Sequence, residues 1–94
     1  MDALLSRLEA LGFEREEYPD GWFWVLAPDS PEGKERLSTA LGFEDELWDG
    51  TPDTVFLQLS ETDWGWQFCF GAEYGSLGED EAVDILDMLE EPQS

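Results

Sequence analysis

Residues 54–70 read TVFLQLSETDWGWQFCF, and their alternation restricts the fold more than any other stretch of the chain. Val55, Leu57 and Leu59 fall on one side of an extended backbone. Trp64, Trp66, Phe68 and Phe70 do the same, with Gly65, Gln67 and Cys69 on the other side. Successive side chains of a strand point to opposite faces, so a period of two predicts a hairpin of strands at 54–60 and 64–70 with one core face. An aromatic face of this kind has to be covered.

Three segments repeat apolar residues at helical spacing and are suited to cover it. Residues 2–11 carry Leu4, Leu5, Leu8 and Leu11 ahead of Gly12, a left-handed cap. In DSPEGKERLSTALG, Ser30 caps, Pro31 suits the first helical position, Leu37 and Leu41 face inward and Gly42 ends the helix. In EDEAVDILDMLEE (79–91) the stripe is Ala82, Ile85, Leu86 and Leu89, broadened by Val83, with Ser76 and Glu79 as a capping box or Asp80 as the cap. A further hairpin is predicted from FEREEY, the turn YPDGW and WFWVLA (22–27). The expected architecture is α+β in the order αββαββα, a four-stranded antiparallel sheet of two hairpins packed by about three helices. Residues after Gly42 read as irregular and GAEYGSLG as a loop. One domain is expected over 1–91, with 92–94 a frayed tail. RLEALGFEREEYPDG (7–21) and RLSTALGFEDELWDG (36–50) echo one another, which reads as a shared way of ending a helix.

Charge limits the function. There are 24 acids against 4 bases, a net charge of −20, alongside five Trp, six Phe and two Tyr. Acidic disordered chains are poor in aromatics, so a packed core is expected beneath this charge. Residues 1–43 hold nine acids and all four bases (Arg7, Arg15, Lys34, Arg36), whereas residues 44–94 hold fifteen acids and no base. Such a field repels nucleic acid and anionic membranes and attracts basic surfaces. No apolar run approaches the ~20 residues of a membrane span, and no secretory leader is evident, so a cytoplasmic protein is expected.

Catalytic chemistry finds little support. The chain has no His and one cysteine, Cys69, which alternates with core residues and reads as buried and structural. No phosphate loop is present. DELWDGTPDTVF places Asp45, Asp49 and Gly50 at calcium-loop positions, but Leu47 and Phe56 stand where two essential ligands belong. The expectation is a non-enzyme with no metal and no cofactor.

The last helix is more informative. Asp80, Asp84, Asp87 and Glu91 recur four, three and four residues apart, lining the face opposite Ile85 and Leu89. At 1.5 Å of rise per residue, carboxylates repeat about every 5–6 Å, close to the ~6–7 Å between phosphates of a DNA strand. The bland alternative is a solvated helix face. Glu79 and the acids of FEDELWD (Glu44, Asp45, Glu46, Asp49) extend the pattern. Trp48 lies among them. WFWVLA is apolar on both sides, which fits burial of both; the alternative places Trp22 and Trp24, or Phe23 and Val25, on the outer side of the sheet, with Phe56 a further candidate for an aromatic contact.

In length, charge and acidic helix the chain resembles the small acidic proteins by which phages block host defences, including anti-CRISPR proteins that act as DNA mimics. That resemblance implies an inhibitor that occupies the nucleic-acid-binding surface of a basic protein or nucleoprotein complex in the host cytoplasm. Acidic immunity and antitoxin proteins share these traits. The opening LLSRLEALGFEREEYPDGWFWVLAPD is similar to type III secretion chaperones, which are acidic α+β dimers, so a homodimer stays open; after residue 30 the chain departs from that pattern. An ordinary halophilic domain is the remaining reading.

Overall fold

The computed structural model of the protein describes residues 2–90. The elements in chain order are α1 (Asp2–Ala10), β1 (Glu14–Tyr18), β2 (Gly21–Leu26), α2 (Pro31–Ala40), a 3-10 helix (Glu44–Asp49), β3 (Val55–Ser60), β4 (Trp66–Phe70), β5 (Glu73–Leu77) and α3 (Glu79–Glu90). The architecture is α+β. Its five strands lie side by side in sequence order, every neighbouring pair antiparallel.

Two expectations are corrected. The sheet has five strands, not four, and the segment after α2 is a 3-10 helix, so the described residues hold four helices, not three. GAEYGSLG looks like a loop because Gly and Ser are poor strand formers. Gly75, however, lies opposite Phe68, where an added Cβ would come within 2.5 Å of the ring's Cε1. The phenyl ring fills the place a side chain would take, and the strand continues through its glycine.

Other boundaries shift for similarly local reasons. Trp64 is not a strand residue: it sits at φ 56° in the turn before Gly65, and β4 starts at Trp66. Ser76 belongs to β5 and caps nothing. The α3 N-terminus is closed by Glu81, whose carboxylate accepts the Gly78 amide at 3.4 Å. Ser30 does cap α2, accepting from the Gly33 amide at 3.0 Å. The echo between 7–21 and 36–50 has a physical meaning. In both copies the amide three residues past the helix bonds back five residues, Phe13 to the Leu8 carbonyl (3.0 Å) and Phe43 to the Ser38 carbonyl (2.9 Å). Phe13 then enters the core, meeting Trp66 edge-on at 6.4 Å, while Phe43, half-buried, stacks on Phe70 at 4.3 Å.

All helices serve one side of the sheet. Trp24, Val55, Leu57, Leu59 and Trp66 meet Leu8, Leu37, Ala40, Ala82, Ile85, Leu86 and Leu89 in one cluster. Among the described residues no buried side-chain nitrogen or oxygen lacks a hydrogen-bond partner. The other side of the sheet carries no helix of that cluster.

Candidate acidic interaction surface

The outer side of α3 comes first. Ala82, Ile85, Leu86 and Leu89 are buried as expected, but Val83, expected to broaden that stripe, is exposed, as are Glu79, Asp80, Glu81, Asp84 and Asp87. The first three acids lie in the first turn, where the positive end of the helix dipole favours them. The expected row is interrupted, however. Asp87 and Glu90 both pair with Arg7 of α1, so Asp87 serves as a tie between helices. Sequence reasoning missed this because the partner stands 80 residues away. Among the described residues no ion pair engages Asp80 or Asp84. Glu91 lies outside the described residues.

The arginines are used internally. Arg7 joins α1 to α3, and its neighbouring carboxylates raise its pKa, Glu90 most. Arg36 of α2 donates to the Leu89 carbonyl at the end of α3. Arg15 grips Glu61 with two nitrogens, at 2.6 and 2.9 Å, and its guanidinium lies 4.1 Å from the centre of the Trp22 ring. The Trp24 indole donates to the same carboxylate at 2.6 Å. The Glu61 pKa is held below its usual value, chiefly by the Arg15 hydrogen bond and then, against the cost of burial, by that of Trp24. These cations act as clips and leave most surface acid unopposed.

The 3-10 helix is the second acidic element. Phe43 anchors it against β4, and Glu44, Asp45, Glu46 and Asp49 are all exposed. Trp48, in their midst, is 88 % exposed. Its indole takes no part in the apolar core.

The expected aromatics do not form one patch. Trp24 is buried, with its N–H satisfied by Glu61, and presents no ring to a partner. Trp22 shares the helix-bearing side of the sheet and lies under Arg15. Phe56 is half-buried on the opposite side, and only Trp48 stands free. Sequence reasoning missed Tyr18, 43 % exposed, and Tyr74, 75 % exposed. The Tyr18 phenol is raised in pKa by burial and next by the charge of Glu16. The period of two in EYGSL was the signal for Tyr74, masked by Gly75.

A groove of about 760 Å³ runs where α1, α2 and the end of α3 meet, floored by Leu11, Leu26, Leu37 and Leu89. Arg7 and Arg36 on its walls are already bonded within the fold. Among the described residues no three acid or thiol side chains converge as a metal ion requires, and no helix is long and apolar enough to cross a membrane. Comparison of the chain with protein families, curated proteins and solved structures finds no match.

Proposed function

We propose that this protein is a non-enzymatic inhibitor that binds the basic, nucleic-acid-binding surface of another protein or nucleoprotein complex in the cytoplasm. Carboxylates of α3 and the 3-10 helix stand in for phosphates. One observation carries the reading: Trp48, 88 % exposed, stands on a short helix whose four acids, Glu44, Asp45, Glu46 and Asp49, are exposed as well. Acids scattered for hydration alone, as in a halophilic domain, give no reason for such an indole. An interface does, because a Trp anchor surrounded by charge is how a few residues supply most binding energy while the field speeds association. Glu79, Asp80 and Asp84 on α3, with Glu44, Asp45, Glu46 and Asp49, supply the charge. Neither phosphate nor an anionic lipid surface fits a field of that sign. Inhibition of a host defence complex, as in DNA mimicry, is the specific form of this reading.

The test uses the immobilised protein, host lysate at about 0.15 M salt, and duplex DNA as competitor. The expected result is retention of a nucleic-acid-binding protein that DNA displaces. Retention should fall at least about tenfold in D80K/D84K and in W48A. Retention of a small basic toxin or secreted effector, indifferent to DNA, would replace the inhibitor with an immunity or chaperone role. Unchanged retention in both folded variants would overturn the acidic-surface mechanism itself.

A further inference from the structure

We propose that the helix-free side of the sheet is a second docking surface, one that takes an arginine-bearing segment of a basic protein in extended conformation. This goes beyond the function proposed above, because the surface lies across the sheet from the helices.

The register builds it. Glu14, Val25, Gln58, Gln67 and Ser76 form one row across all five strands. Phe56, Cys69 and Tyr74 form the next row on one side of it; Glu16, Phe23 and Ser60 form the row on the other side, with Tyr18 beyond. Rings thus stand at two opposite corners. At one, Tyr18 meets Phe23 edge-on at 5.3 Å; at the other are Phe56 and the exposed Tyr74. Between them Gln58 donates to Gln67 at 2.9 Å, leaving the Gln58 carbonyl oxygen and the Gln67 amide group for a ligand. A groove of about 530 Å³ passes Phe23, Gln58, Ser60 and Gln67, with Asp20 and Asp63 on its walls.

Charge selects the occupant. Glu14, Glu16, Asp20 and Asp63 border this side, and no cation does: Arg15 alternates to the other side, where Glu61 holds it, and Arg7, Lys34 and Arg36 belong to α1 and α2. A second copy of a chain with net charge −20 would meet its own acids. Arginine fits better than lysine because its planar guanidinium stacks on rings and forks onto carboxylates. From β1 to β5 is four strand spacings of ~4.8 Å, a distance that about six extended residues cover.

The experiment titrates the isotope-labelled protein with a seven-residue peptide of alternating Arg and Ser, its Lys counterpart and a neutral oligosaccharide, following backbone amide shifts at about 0.15 M salt. Shifts should centre on Phe23, Gln58, Gln67 and Tyr74, and the Arg peptide should bind about three- to tenfold more tightly than the Lys peptide. Y74A should weaken it by a similar factor, about three- to tenfold, while D80K/D84K leaves these shifts in place. That last arm separates failure here from failure of the acidic-helix reading. Shifts confined to α3 and the 3-10 helix, equal binding of both peptides, or indifference to Y74A would overturn the proposal. So would the same shifts produced by the oligosaccharide or by raising protein concentration alone.

Discussion

Leu57 and Gln58 are neighbours on β3, and the fold treats them in opposite ways. Leu57 is sealed beneath the helices with no exposed surface, while Gln58 keeps part of its amide in water and bonds across to Gln67. A graded form of the contrast runs across the sheet. On one side, Trp24, Leu59 and Trp66 are covered; on the other, Val25 and Cys69 are buried, but Phe56 and Phe23 are half-covered and Tyr74 hardly at all. An alternating pattern assigns residues to sides but does not decide which side is dry. The supply of apolar helix decides it: three α-helices of 9, 10 and 12 residues have one stripe each and can close one side only.

The contrast is most sharply tested by paired truncations. Leu57→Ala should cost about 3–4 kcal/mol in urea unfolding, since a site under three helices cannot collapse, while Gln58→Ala should cost under about 1 kcal/mol. Equal costs would mean the second side is as tightly built as the first. Next, Gly75→Ala should cost about 1–3 kcal/mol, because the new methyl displaces the Phe68 ring on the covered side.

A smaller effect separates two kinds of carboxylate. Glu61→Gln removes the partner of Arg15, itself half in water, and should cost about 1 kcal/mol at pH 7. The folded-state pKa of Glu61 lies below its ordinary 4.5, so its contribution is complete above that value and is lost as pH falls through the lowered one. The gap between wild type and E61Q, followed by thermal unfolding, should therefore close in acid. Smallest of all, Tyr74→Ala and Trp48→Ala should each shift stability by no more than about 0.5 kcal/mol. A larger loss would show that these rings belong to the fold and not to its surroundings.

Much of the fold was legible in the sequence. The β3–β4 alternation, the Ser30 cap and the two Gly-Phe helix endings all depend on neighbours close in the chain. What was not legible depends on distant ones. β5 exists because the Phe68 ring fills the space over Gly75, and Trp64 leaves its strand because the turn at Asp63–Gly65 takes its backbone. The same division applies to the surface. Exposure of Glu79, Asp80 and Asp84 followed from helical spacing. The capture of Asp87 by Arg7, and of Trp24 by Glu61, could not be read from spacing, because each pair closes across more than thirty residues.

Cys69 has no exposed surface, yet it stands in the row between Phe56 and Tyr74 on the uncovered side, its thiol against the Gly71 carbonyl at 3.4 Å. A thiol reagent can reach it only when that corner of the sheet opens. As the chain's single cysteine, it is a built-in clock: its labelling rate under native conditions counts openings of β4 and β5, and dividing by the rate of a free thiol converts the count into a local stability. Any molecule that settles over Phe56 and Tyr74 should slow the clock, without a probe having to be introduced.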